Sequence, residues 1–158
     1  MKNIKFLILL SLIIAGCAGF QSDGLTPITL AYQDKTTDPK KIWTDSKLKE
    51  AFSKYWSLRF SDRPIKEILL NEAPHIQEMV DENRYSIYMR GPLRSDLLEI
   101  RIMGITHETE NFCWINAVIF LKAPNMQKPK DVNIKDGWVK VRGKWYHIIK
   151  DPLFFPGI

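Results

Sequence analysis

Asp136-Gly-Trp-Val-Lys-Val-Arg-Gly-Lys-Trp-Tyr-His147 reads as two strands joined by a tight turn, and the rest of the fold is read outward from it. Across Arg142-Gly143 the glycine supplies the positive φ that a two-residue hairpin requires. That register sets Val141 opposite Lys144, Lys140 opposite Trp145, Val139 opposite Tyr146 and Trp138 opposite His147. One face then carries Trp138, Trp145, His147 and Ile149; the other carries Val139, Val141, Tyr146 and Ile148. A sheet with one wet side alternates apolar and polar residues. A hairpin apolar on both faces is therefore sandwiched, or its outer face meets a partner.

Period-2 patterning extends upstream. Ser95 to Thr106 predicts a strand with Leu98, Ile100 and Ile102 on one face. Phe112 to Lys122 predicts another, with Cys113, Ile115, Ala117, Ile119 and Leu121 inward. The hairpin strands are expected over Val132 to Val141 and Lys144 to Ile149. Before Ser95 the period is helical. Leu48, Ala51, Phe52, Tyr55 and Trp56 mark an amphipathic helix to about Phe60, with cap oxygens in Thr44-Asp45-Ser46. Ser61-Asp62 predicts the cap of a second, short helix with Pro64 in its first turn and Ile65, Ile68 and Leu69 inward. Asn71-Glu72-Ala73-Pro74 breaks that helix. Asp81 predicts the cap of a third, carrying Tyr85 and Tyr88 and ended by Gly91-Pro92. Helices followed by an antiparallel meander make an α+β domain, N-terminal helices packed on a curved antiparallel sheet.

The chain has 158 residues, 45% hydrophobic and 26% charged, with a formal charge of +5. This is one domain with extensions, too apolar for disorder. Two cysteines, Cys17 and Cys113, make neither a disulfide-dense scaffold nor a thiolate zinc site.

The start, Met1-Lys-Asn-Ile-Lys5, is basic, and an apolar run from Phe6 to Ile14 follows, too short for a permanent membrane span of roughly 20 residues. Ile13-Ile14-Ala15-Gly16-Cys17 resembles the lipobox of bacterial lipoproteins. The resemblance implies a signal peptide over 1–16, a diacylglycerol thioether on Cys17, and an acylated (palmitate-type) amino terminus. Such an anchor places the protein in the cell envelope, and Ala18 after the cysteine implies the outer membrane, facing the periplasm. Residues 17–43 are read as lipidated cysteine plus tether, with Leu25 to Leu30 as an alternative short strand, and 44–158 as the globular domain.

Tyr55-Trp56-Ser-Leu-Arg59-Phe-Ser-Asp62, Ala73-Pro74, Tyr85 and the terminal Trp138 to His147 hairpin together resemble the nuclear transport factor 2-like superfamily, cone-shaped and cystatin-like, which includes ketosteroid isomerases and polyketide cyclases. The resemblance implies a sheet wrapped around helices, often enclosing a pocket, and often dimerising through the sheet.

Candidate chemistry is sparse. His147 has the ordinary pKa of a general base, and packing on an indole with both nitrogens bonded is the competing role. Asp62 is the second catalytic candidate; paired with Arg59 it would bind an anion, or it caps a helix. Tyr85, Trp145 and Tyr146 are pocket-lining or structural. Cys113 falls on an apolar strand face, which suits an inert thiol. His75, His107 and His147 lie on different elements, so no metal site is expected, and no motif calls for a cofactor. Residues 122 to 150 hold eight basic and two acidic side chains, a face suited to anionic head groups or to solvated turns. Nucleic acid is a poor partner for an exported, anchored domain. The expected function is a lipid-anchored, non-enzymatic binding or interaction domain whose partner is an envelope protein, a small ligand or a second copy. The alternative is a pocket protein or isomerase- or cyclase-like enzyme.

Overall fold

The computed structural model describes residues 25–34, 38–90, 95–124 and 126–149. Residues 1–17, with the lipobox-like run and Cys17, lie outside them, as do Gly91-Pro92 and the last nine residues. Ten elements follow in chain order: β1 (Leu30–Tyr32), α1 (Pro39–Ile42), α2 (Ser46–Arg59), α3 (Ile65–Leu69), α4 (Pro74–Met79), α5 (Glu82–Arg90), β2 (Asp96–Thr109), β3 (Phe112–Lys122), β4 (Lys130–Val141) and β5 (Lys144–Ile148). The strands form one five-stranded sheet in sequence order. β2 to β5 are an antiparallel meander, and β1 pairs parallel to β2, Leu30 opposite Ile100. The chain is α+β.

The β4–β5 hairpin has the register derived from its sequence. Arg142 (φ 50°) and Gly143 (φ 79°) both adopt left-handed backbone, the requirement of a type I′ turn that matches strand twist. One sheet face is covered by α2. Ile100, Ile102, Cys113, Ile115, Ala117, Ile119, Trp138 and Trp145 pack there with Leu48, Phe52, Tyr55 and Trp56, joined by Ile68, Ile76, Tyr85 and Met89. Full burial of one such side chain is worth about 1.5–3 kcal/mol. Phe52 lies between Trp43, Trp56 and Trp138, with ring centroids 5.6 to 6.1 Å apart.

Four expectations need correction. Leu98 does not face inward with Ile100; the β2–β3 register shifts between Leu97 and Glu99, and this bulge leaves Leu98 45% exposed. Asp62 does not cap α3, whose N-cap position is Pro64 with no side-chain bond; the preceding turn is closed by Ser61, whose Oγ accepts from the Arg63 N–H at 3.2 Å. Pro74 does more than end a helix, because proline at a first helical turn starts α4. The sheet begins inside the span read as a tether: β1 lies there, held by main-chain bonds to β2, and α1 follows it, capped by Asp38.

Asp45 fastens α2 to the sheet. Its Oδ1 caps the helix by accepting from the Lys47 N–H at 2.9 Å. Its Oδ2 accepts from Lys140 Nζ at 2.9 Å and Trp145 Nε1 at 2.8 Å, one residue from each hairpin strand. Partial burial works to raise its pKa, but these three donors and the Lys140 charge prevail and hold it at about 2. Asp45→Ala should therefore lower the urea-unfolding free energy by about 1–2 kcal/mol, the range for a lost cap, with a larger effect than Asp38→Ala on the four-residue α1.

Candidate functional site

A chain of ionised and polar groups crosses the interior behind α2. At its centre is His147 of β5, 5% exposed. Its Nδ1 lies 2.7 Å from Glu72 Oε2 and its Nε2 2.8 Å from Asp136 Oδ1. Glu72 is fully buried and Asp136 is 7% exposed. Each carboxylate places one oxygen on the imidazole and turns the other to two neutral donors. Glu72 Oε1 accepts from the hydroxyls of Tyr55 and Tyr85, both at 2.8 Å. Asp136 Oδ2 accepts from the indole N–H groups of Trp56 at 3.1 Å and Trp138 at 3.0 Å. The Tyr55 ring stacks on the imidazole, centroids 4.1 Å apart, and Trp138 meets it edge-on at 5.6 Å.

The placement follows from local structure. Tyr55 and Trp56 are consecutive on the inner face of α2, so one helical turn addresses both carboxylates. Asp136 shares the inward parity of Ile134 and Trp138 on β4. Glu72 sits between α3 and α4, where the chain briefly joins the sheet: the His147 N–H donates to the Asn71 carbonyl at 2.9 Å, and the Ala73 N–H to the His147 carbonyl at 2.8 Å. Gln77 Nε2 donates to the Glu72 carbonyl at 2.7 Å and braces the bend.

Burial alone would lower the His147 pKa. The negative charges of Glu72 and Asp136, and the hydrogen bonds that His147 donates to both, outweigh burial and raise it to about 9. The ring is an imidazolium at neutral pH, donating from both nitrogens. Burial pushes Asp136 up, yet the His147 charge and the donors from His147, Trp138 and Trp56 bring it below its ordinary value. Tyr55 and Tyr85 are raised, first by burial and then by the Glu72 charge, so both hydroxyls stay protonated as donors. Two carboxylates and one imidazolium leave one buried negative charge. Arg59, half-buried over the Trp56 ring at 4.8 Å, opposes that field at both tyrosines.

The sequence-derived candidates thus go to different places. His147 and Tyr85 enter this network, and Arg59 borders it. Trp145 is bonded to Asp45, Tyr146 lies on the opposite sheet face, and Asp62 is in the turn before α3. Glu72 and Asp136, the two anions of the network, were not among them. A general base needs one nitrogen open to substrate. In His147 both nitrogens are engaged by carboxylates, and among the described residues no buried polar side-chain atom lacks a partner. The three groups also do not converge on a common point as metal ligands do, and no set of three potential ligands is found among the described residues. Cys113 is buried on β3 opposite Trp138 of β4; burial, and then the Asp136 charge, raise its thiol to about 12, the condition of an unreactive cysteine.

No family model and no curated protein matches the chain. Solved structures do. A SEC-C motif containing protein from Psychrobacter arcticus is similar over 65% of this chain and 59% of its own length, with TM-score 0.50 and 13% identity. The solution structure of a SEC-C motif containing protein from Rhodopseudomonas palustris is similar over 77% of this chain and 96% of that one, with TM-score 0.50 and 14% identity. The chain spans less than two thirds of the first of these, and at such identities the likeness is one of fold. It corrects the family named from sequence: the neighbours are described as SEC-C motif containing proteins, not as lipoproteins with a nuclear transport factor 2-like domain. No helix among the described residues is long and apolar enough to cross a membrane.

The network sets the pH range of stability. His147 has a folded pKa of about 9 against an ordinary 6.5, so its contribution is complete below 6.5 and lost as pH rises through 9. Asp136 is lowered from 3.8, so its contribution is complete above that value and lost as pH falls. Urea midpoints should therefore be highest between about pH 4 and 6.5 and decline steadily toward pH 9. His147→Gln leaves two buried carboxylates without a cation and should cost about 3–5 kcal/mol. Glu72→Gln leaves a neutral pair, should cost less, and should move the alkaline decline to lower pH. Equal losses in the two variants, or midpoints flat from pH 6 to 9, would contradict this account.

Proposed function

We propose that the chain is a non-enzymatic interaction domain, held at the cell envelope by acyl chains on Cys17, whose sheet offers its outer face to a second copy. The observation that carries this reading is the composition of that face. Phe112, Trp114, Val118 and Phe120 of β3 form its centre, with Val139 of β4 and Tyr146 and Ile148 of β5 beside them, all half-buried. Trp114 lies flat over Gly137, where an added Cβ would stand 2.9 Å from the ring. Cations cover the rings: Arg101 over Phe120 at 4.6 Å, Lys135 over Trp114 at 4.7 Å and Lys144 over Tyr146 at 4.7 Å. Acids lie among them. Glu99 pairs with Arg101 at 2.9 Å, Glu108 accepts from Trp114 Nε1 at 2.6 Å, and Asp131 sits opposite Phe120. An aromatic stripe bordered by both signs of charge is complementary to its own two-fold mate, the condition of an isologous interface.

The envelope attachment rests on residues 1–17: a basic start, a short apolar run and small residues before Cys17. Two or more acyl chains hold a protein at a bilayer where one does not. The interior supports the non-enzymatic half of the reading, because its one histidine is fully engaged by Glu72 and Asp136.

Sedimentation of the full chain in a neutral detergent should give a dimer at micromolar concentration, and Val118→Arg or Phe120→Glu should give monomers that keep the wild-type melting temperature. A monomeric wild type, or a dimer unmoved by both substitutions, would overturn the assignment of this face. Separately, Cys17→Ser should shift the protein from the membrane fraction to the soluble one; unchanged partitioning would refute the anchor.

A further inference from the structure

β1 runs parallel to β2, with Leu30 opposite Ile100 and Tyr32 opposite Ile102. The chain before Leu30 therefore comes from the end of the sheet where β2 begins. The Ile100 N–H, donating to the Thr29 carbonyl at 3.0 Å, holds it to that course, and Leu25 and Ile28 pack half-buried against the core. Antiparallel pairing brings β3 and β4 to the same end. Asp96 of β2 lies opposite Lys122, the last residue of β3, and Leu121 lies opposite Lys130, the first of β4. The turn between β3 and β4 is held by Ala123, 4% exposed, whose carbonyl accepts from the Met126 N–H at 3.0 Å. Lys122, Lys128 and Lys130 are exposed there, as are two large apolar side chains, Met126 and Leu98, the latter turned outward by the β2 bulge. Asp96 and Asp131 are the acids of these strand ends, which leaves one cation in excess.

From the course of β1 we infer that this end of the sheet rests on the membrane, its lysines on anionic phospholipid head groups with Met126 and Leu98 between them. The inference rests on the acyl anchor proposed for Cys17. Charge alone does not choose the end, because Arg142 and Lys144 stand at the opposite one, with Glu108 and Glu110. Distance does. Eight residues lead from Cys17 to Leu25, and fully extended they span at most about 28 Å. Nine residues separate Ile100 from Thr109, about 30 Å of strand. The β2–β3 turn thus stands farther from the point of entry than the tether reaches, while the β3–β4 turn is at the near end. Attraction between exposed charges is felt within about 10 Å, so a short tether at this end is what brings the lysines into range of the head groups. Their aliphatic stems lie along apolar surface while the ammonium groups stay among phosphates.

The test uses the full chain, acylated by an exporting host and reconstituted into vesicles of phosphatidylcholine and phosphatidylglycerol in equal parts. A fluorophore is placed on Met126→Cys or, at the far end, on Glu110→Cys, and quenched by lipids spin-labelled at the head group. Both positions are exposed, and Cys113 is buried and does not compete for the label. The Met126→Cys label should be quenched and the Glu110→Cys label should not. A cation at an anionic surface is worth about fivefold in the contact equilibrium. Lys122→Gln/Lys128→Gln/Lys130→Gln should therefore lower quenching at Met126→Cys by about half or more, with the fraction floating with the vesicles unchanged. Phosphatidylcholine alone should have the same effect as the triple substitution. Protein that floats with the vesicles but is quenched equally at both labels, or more at Glu110→Cys, would overturn this orientation and leave the anchor standing. Quenching indifferent to both the triple substitution and the loss of phosphatidylglycerol would overturn the head-group contact. Protein that does not float would refute the anchor, and the orientation with it.

Discussion

An imidazolium gripped by two buried carboxylates is a demanding structure to place in an interior, and the surrounding fold is arranged to meet those demands. Removing each ion from water costs several kcal/mol even after relaxation, and the loss is recovered only with good geometry and every remaining lone pair occupied. Here Glu72 and Asp136 each receive one charged and two neutral donors. Those donors come from α2, α5 and β4, and the ions from β5, β4 and the bend after α3. Sliding α2 along the sheet by one turn would strip hydroxyl and indole donors from both carboxylates at once. Apolar packing alone tolerates such shifts far better, since it has no direction. The network therefore fixes the register of helix on sheet, while the apolar residues around it supply most of the stability.

The same arrangement decides what His147 does. In a nucleophile–base–acid relay the imidazole has one carboxylate behind it and one open nitrogen in front, so a proton can arrive and leave. With a carboxylate on each side, the proton arriving from a substrate has no vacant site, and the ring stays charged across the neutral range. The residue that looks most like a catalyst in the sequence is thereby the keystone of the core.

Much of this was legible in the residues, for reasons that can be named. The hairpin could be derived because a two-residue turn with glycine admits one register, and period-2 alternation fixes which side chains share a face. The strand Phe112–Lys122 followed from five apolar residues at alternate positions. Asp136 was also within reach: it stands at inward parity between Ile134 and Trp138, and an acid there requires a buried partner. Glu72 was not, because Asn71-Glu72-Ala73-Pro74 has the composition of a solvated turn. Only the tertiary pairing of that bend with His147 turns its side chain inward. The bulge that exposes Leu98 and the parallel edge strand β1 likewise depend on partners distant in sequence. The family name drawn from the aromatic hairpin failed because aromatic spacing reports packing, and packing recurs across folds.

Asp45 shows how a single side chain ties a helix start to both strands of the hairpin. One oxygen starts α2, and the other holds Lys140 of β4 and the Trp145 indole of β5. Lys140 is thereby paired at 2.9 Å. Lys144, at the start of β5, lies over Tyr146 on the outer sheet face. The turn itself needs left-handed backbone at Arg142 and Gly143, which ties its shape to the sheet's twist. Helix start, hairpin turn and buried imidazolium are thus parts of one constraint.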